Sequence, residues 1–170
     1  MAVLTDVGEA NDIHPRSKRI AAQRLSLVAR AQAYGEKIAF SGPAFAKATV
    51  EGQAMRLRFT QVGGGLVAKP LPKTYQPRSK LPDTLPLVLT SPNSMLQGFA
   101  VCGEDRQWHW ADARIDGDTI VVQSAAVPKP VAVRYAWADN PTANLYNAQG
   151  LPAVPFRTDD FPLLTDKAVY

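Results

Sequence analysis

What this chain of 170 residues has little of narrows its possible roles before any motif is read. Its single cysteine, Cys102, excludes an internal disulfide framework and a zinc site built on four thiolates. A small buried apolar group in a strand is the role expected for it. No apolar run reaches the roughly 20 residues needed to cross a bilayer, and no succession of positive, apolar and small residues marks a signal peptide. The charges, 19 basic and 15 acidic for a net +4, are scattered without a run of like sign. Nucleic-acid binding needs clustered lysine and arginine and is therefore not expected. No set of histidine, cysteine and carboxylate residues has ligand spacing, so neither a metal nor an organic cofactor is implied. No internal repeat is detectable. No serine of the chain stands in a convincing nucleophile motif.

What is present divides by periodicity. Met1 to Thr5 is a short apolar run ending at an acid, which suits a buried parallel strand whose C-terminal edge opens on a site. From Pro15 to Tyr34 the apolar residues Ile20, Ala21, Leu25, Val28 and Ala29 fall at helical spacing. Pro15 suits the first helical position, where its missing N–H is no loss, and Gly35 suits the left-handed position that closes a helix. After Ser41-Gly42-Pro43 the period changes to two. A hairpin is expected from Ala48–Glu51, the turn at Gly52-Gln53 and Met55–Thr60, with further strands at Leu66–Ala68, Leu85–Thr90, Gln97–Cys102, Trp108–Ala113, Thr119–Gln123 and Val131–Ala136. Asp116-Gly117 is a strong hairpin turn signal. Short strands at regular spacing, punctuated by 14 prolines and 11 glycines, argue for an antiparallel β-sandwich. Residues 69 to 84, with Pro70, Pro72, Pro77 and Pro82, suit an exposed excursion. Gly63-Gly64-Gly65 lies between strands with no helix after it, so a turn or bulge is expected there and not a phosphate cradle. One core and a helical appendage fit the length better than two full domains.

The residues with chemistry are few. His14 sits between the opening run and the helix, with Asp12 two residues and Asp6 eight residues before it. This is where an α/β hydrolase carries its general base, the imidazole that activates a serine hydroxyl while a carboxylate fixes its tautomer. His109, between Trp108 and Trp110, could mark a sugar-stacking surface, but alternation puts both indoles on one face and a core tryptophan is the commoner reason for that.

The stretch Asp6-Val7-Gly8-Glu9-Ala10-Asn11-Asp12-Ile13-His14-Pro15-Arg16-Ser17-Lys18, followed by Arg24-Leu25-Ser26-Leu27, Tyr34-Gly35 and Ser41-Gly42-Pro43, resembles the C-terminal third of bacterial sialate O-acetylesterases. Arg134–Pro141, Asn144-Leu145-Tyr146-Asn147 and Gly150–Asp159 extend the resemblance to about residue 160. It implies a member of the SGNH hydrolase superfamily, with a fold of α/β plus all-β class: residues 1–40 as the last strand, catalytic histidine loop and helix of the hydrolase domain, and residues 41–170 as a β-sandwich with a C-terminal docking tail. It implies His14 as the base. The orienting acid of that pattern stands three residues before the histidine, where this chain has Asn11, so Asp12, Asp6 or no acid at all remain open, with Asp12 preferred. It also implies that the serine, in a Gly-Gln-Ser-Asn-type block, belongs to an upstream part of the same enzyme, on a separate or cleaved chain, and that any secretory signal to the periplasm or exterior lies there too. The implied substrate is an acetylated carbohydrate, sialic acid or a plant polysaccharide. Arg134, Tyr135, Tyr146, Phe156 and Arg157 have the composition of an interface and are expected to dock domains together. The alternative is a carbohydrate-binding or purely structural β-sandwich without activity of its own.

Overall fold

The computed structural model describes residues 1–8, 12, 14, 16–71, 95–138 and 141–163. It is mostly antiparallel sheet with one helix, α1 (Lys18–Gln32). The strands in chain order are β1 (Ala44–Glu51), β2 (Ala54–Thr60), β3 (Leu66–Ala68), β4 (Phe99–Cys102), β5 (Trp108–Trp110), β6 (Asp112–Asp116), β7 (Thr119–Gln123), β8 (Ala132–Tyr135), β9 (Leu145–Asn147) and β10 (Phe156–Arg157). They form one sheet in the order β1-β2-β7-β6, a second in the order β10-β8-β4-β5, and a two-stranded sheet β3-β9.

Alternation explains how the two large sheets share one core. Met55 and Leu57 pair with Val122 and Ile120, which in turn pair with Ala113 and Ile115, so one face of the first sheet is a continuous apolar row. Phe99, Val101, Val133, Tyr135 and Phe156 supply the facing row from the second. The rows meet in an aromatic cluster: Phe45 stacks on Phe156 at 4.7 Å, Phe59 meets the same ring edge-on at 5.8 Å, and Tyr135 stacks on it from the other side at 5.7 Å. Cys102 is fully buried on β4, as its role in a strand required, and burial together with nearby Asp159 pushes its thiol pKa up.

Three details refine the sequence expectations. The run expected as one strand, Trp108–Ala113, is two: Ala111 separates β5 in the second sheet from β6 in the first, so the chain bends from one sheet to the other at a single residue too small to obstruct the turn. The hairpin at Asp116-Gly117 is present, with Asp116 opposite Thr119 and Gly117 at φ 58°. Gly63, Gly64 and Gly65 all have positive φ and form a turn before β3. The strand expected at Leu85–Thr90, and the proline-rich stretch from Pro72 onward, lie outside the described residues.

Two corrections concern the N-terminal arm. Met1–Thr5 is not a strand. No strand runs beside it among the described residues, and its carbonyls are taken otherwise: Val3 by Arg24, and Leu4 by the Val7 N–H. The helix begins at Lys18 with Ser17 at its N-cap, not at Pro15, which lies outside the described residues; its C-terminal end closes with Gly35 at φ 72°, as expected. Its apolar stripe is only partly covered: Ile20, Ala21 and Val28 are half-buried, Leu25 and Ala29 exposed. Leu25 is 56% exposed, and the one buried residue of α1 is Arg24.

Buried asparagines hold the loops. Asn147 donates to the carbonyls of Ser41 (3.1 Å) and Gln61 (3.2 Å) and accepts from the Leu151 N–H (3.0 Å). Asn144 donates to the carbonyls of Lys69 (2.7 Å) and Met95 (2.8 Å) and accepts from the Gln97 N–H (2.7 Å). Each amide satisfies three backbone groups that no strand partner reaches. Gly42 lies so close to Pro152 that an added Cβ would fall 2.0 Å from its carbonyl oxygen, which is why glycine stands there.

Candidate active site

His14 lies in the connection between Gly8 and α1, and its side chain is 83% exposed. Asp12 accepts a hydrogen bond from the backbone N–H of His14 at 2.8 Å, an Asx-type turn in which the carboxylate organises the backbone carrying the imidazole. The same oxygen stands 3.9 Å from Nδ1 of the imidazole, beyond hydrogen-bond reach. The structure therefore places Asp12 on the Nδ1 side of the ring without engaging it. A small rotation of an exposed side chain would close that gap.

Asp6 is elsewhere and already occupied. Arg24 donates to its two oxygens at 2.6 and 2.7 Å, and the Tyr146 hydroxyl donates to Oδ2 at 2.9 Å. Burial raises the Asp6 pKa, but the Arg24 hydrogen bonds and charge, with the Tyr146 hydrogen bond, outweigh it and hold the carboxyl below its ordinary value. Burial and the Asp6 charge together push the Tyr146 phenol up. Of Asp6 and Asp12, it is Asp12 that has an oxygen near the imidazole.

Among the described residues no serine hydroxyl hydrogen-bonds to His14; Ser41 Oγ donates to the Gly42 carbonyl. Neither of the two cavities described is lined by His14. One lies between Val3, Arg24, Phe40, Gly42 and Pro152; the other lies beside β6, β7 and Leu96. No three His, Cys, Asp or Glu side chains among the described residues cluster as metal ligands would.

The tryptophans correct a further expectation. Trp108 and Trp110 share a face, but it is the face of Ala100 and Arg134, opposite the core row, and both are half-buried. The Arg134 guanidinium lies over the Trp108 ring at 4.1 Å. Arg134 is itself held by Asp159, at 2.9 and 2.8 Å, and Asp159 has no side-chain exposure. The indole of Trp108 is thus covered from within the chain.

Comparison with known proteins gives this geometry a context. No protein-family model matches. The sequence is 30% identical to a rat (Rattus norvegicus) sialate O-acetylesterase over 92% of this chain and 27% of that protein. The fold matches the crystal structure of a carbohydrate acetylesterase from Xanthomonas citri with a TM-score of 0.76 and 40% identity, over 94% of this chain and 32% of that one. This chain is homologous to part of a sialate O-acetylesterase. It spans 27% and 32% of the lengths of these two relatives, between a quarter and a third.

The residues expected at an interface can be placed by their contacts. Arg134, Tyr135, Phe156 and Arg157, expected at an interface, are satisfied inside the chain: Tyr135 and Phe156 in the core, Arg134 by Asp159, and Arg157 by the Phe161 carbonyl at 2.8 Å. Tyr146 alone of that set reaches across, from β9 to the N-terminal arm. Sequence reasoning missed Arg24 and the joint role of Asp6 and Tyr146. The one available signal was a charged residue at position 24 beside the apolar positions of the helix, which reads as solvated until a buried partner is seen.

Proposed function

We propose that this chain is the C-terminal portion of a serine-dependent carbohydrate O-acetylesterase, with residues 1–40 completing an SGNH-type α/β hydrolase domain and residues 41–170 forming its β-sandwich, and that His14 is the general base. The observation that carries this reading is the likeness to a carbohydrate acetylesterase over nearly the whole chain, with an exposed imidazole ahead of α1 to which no serine hydroxyl among the described residues hydrogen-bonds. The serine and oxyanion hole then belong to a preceding part of the same enzyme.

In this mechanism His14 takes the serine proton at Nε2 as the hydroxyl attacks the acetyl carbonyl, while Asp12, on the Nδ1 side, steadies the imidazolium. Collapse of the tetrahedral intermediate expels the sugar oxygen, which takes the proton from His14. Water, deprotonated by the same imidazole, then attacks the acetyl-serine and releases acetate. The acetylated sugar is sialic acid or a plant cell-wall polysaccharide, whose contacts belong mainly to the preceding part.

The test is His14→Ala in the complete esterase, assayed on an O-acetylated sugar. Turnover should fall about 10²–10⁴-fold while the circular dichroism spectrum is unchanged. Unaltered turnover, or sugar binding without any hydrolysis by the unsubstituted enzyme, overturns the reading.

A further inference from the structure

The connection that carries His14 has two stems, and one ion pair closes them. Its first stem ends at Asp6; its second is α1, whose Arg24 grips that same carboxylate through both oxygens and also donates to the Val3 carbonyl at 2.8 Å. Side chains of both partners are about nine-tenths buried, at 10% exposure for Arg24 and 8% for Asp6. Among the described residues the apolar contribution to fixing these stems is small: α1 has half-buried Ile20, Ala21, Leu27 and Val28 but no fully buried apolar side chain, Leu25 projects outward, and the opening run lacks a strand partner. The third member comes from far away in sequence. Tyr146, on β9 and paired through Val67 with β3, reaches Asp6 with its hydroxyl, while Lys69 lies over its ring at 4.3 Å. β9 is fixed in turn by the buried amides of Asn144 and Asn147 and by the Leu145 N–H, which donates to the Tyr135 hydroxyl at 3.0 Å.

We infer that Asp6, Arg24 and Tyr146 are positioning residues for the base: they form a clamp through which the sheets set the place of the His14 connection, so that the sheet body takes part in catalysis without touching the substrate. The inference rests on the esterase reading for its catalytic half. Its physical basis is that His14 itself has little local restraint, with an exposed ring and a backbone N–H held only by Asp12. A connection whose two ends are tied to one point takes its position from those ends. Fixing both ends on one carboxylate, and that carboxylate on a strand of the folded body, removes most of the freedom the base would have to lose in reaching the nucleophile. Asp6 thereby acts at a distance from the imidazole, as its saturated oxygens require.

The discriminating variant is Tyr146→Phe, which removes the hydroxyl and keeps the ring in place. Two measurements are made. In this chain, hydrogen exchange of the amides of residues 1–8 and 18–32 should quicken at least several-fold, while the exchange of β2, β4, β7 and β8 stays as it was. In the complete esterase, kcat per folded molecule should fall about ten-fold with KM within two-fold of its starting value, because misplacing the base weakens the chemical step more than binding. Asp6→Asn should act in the same direction and more strongly; should it fail to fold, Tyr146→Phe still decides. Arg24→Lys, which keeps charge but loses the two-pronged grip, should lie between the wild type and Arg24→Ala in kcat. Unchanged exchange of the arm in Tyr146→Phe overturns the clamp. Altered exchange with unchanged kcat, where His14→Ala is inactive, overturns the positioning role alone. Unchanged turnover in His14→Ala removes the esterase reading and with it the catalytic half of the inference, while the exchange result still decides whether the clamp exists.

Discussion

Phe99 on β4 and Arg24 on α1 are both buried, yet they hold their segments in different ways. Phe99 is 1% exposed in a row that continues through Val101, Val133 and Tyr135 and faces a second apolar row across the core. Arg24 is 8% exposed with no apolar neighbour of its own helix buried beside it, and it holds the arm through hydrogen bonds to Asp6 and Val3. Burying a side chain of the first kind contributes about 2–3 kcal/mol, and many such side chains act together. The charge of the second kind is offset by its own desolvation, and the arm has few other contacts to add. The sheets are therefore a cooperative body, and the arm is an attachment whose local opening requires the loss of one polar cluster. In the proposed mechanism, a base carried on such an attachment can be reset without disturbing the core. The cost is dependence on the few groups that fix it.

The comparison is broken most severely from the side of the body. Phe99→Ala removes a ring that packs on Tyr135 at 4.6 Å and leaves a cavity between the two sheets. A loss of about 3–5 kcal/mol is expected, measured by urea denaturation followed through tryptophan fluorescence. Arm and sheets should unfold together, because β9 and Tyr146 go with the core. A loss below about 1 kcal/mol would show that the two rows are not the single core described here.

How much of this was legible in the sequence follows the same division. β2 was readable because one face is buried and burial writes a period of two, whereas β4, β7 and β8 were readable as short apolar runs buried on both faces. The turns at Gly52 and Gly117 were readable because positive φ selects glycine. β9 and β10 were not, since strands of three and two residues are too short to show a period. The corner at Ala111 shows only as a one-residue shift of phase, from Trp108 and Trp110 to Ala111, Ala113 and Ile115, which reads as one strand until the change of pairing partner is seen. On the arm, Met1–Thr5 carries the apolar composition of a strand, but a strand exists only with a partner, and composition does not supply one. His14 and Asp12 are candidates read from residue type and order alone. That Asp6 is locked away from the imidazole depends on Tyr146, which is 140 residues distant, and no local pattern announces such a contact.

A smaller effect, confined to the arm, should follow from acid. The Asp6 carboxyl, faced by Arg24 and Tyr146, titrates below its ordinary 3.8 in the folded protein. A carboxyl with a depressed folded pKa contributes stability above its unfolded pKa and loses that contribution as pH falls through the folded value. The arm should therefore stay docked at pH 5 and above and open progressively as the pH drops below 3.8, before the apolar core gives way. Pepsin, active in that range, should cut within the arm first and leave a fragment beginning near β1. In Asp6→Asn the same cutting should already occur at neutral pH with a neutral protease such as thermolysin. Simultaneous loss of arm and body at every pH would erase the distinction between them.

The smallest effect sharpens the comparison by testing an ion-pair cluster that lacks burial. Arg56 on β2 donates to Glu51 at 2.7 Å and to Asp116 and Thr119 at 2.8 and 2.7 Å, so by bond count it is as well connected as Arg24. The surroundings differ. The Glu51 and Asp116 carboxylates are 45% and 46% exposed, against 8% for Asp6. Water solvates these groups almost as well as Arg56 does, and salt screens what attraction remains. Arg56→Ala should cost only about 0.2–1 kcal/mol, less at 1 M sodium chloride than at low salt, and should leave exchange of the arm untouched. Arg24→Ala, with a similar number of hydrogen bonds lost, should release the arm under both conditions. Equal effects and equal salt dependence in the two variants would mean that the count of hydrogen bonds, and not their burial, decides what holds this protein's parts together.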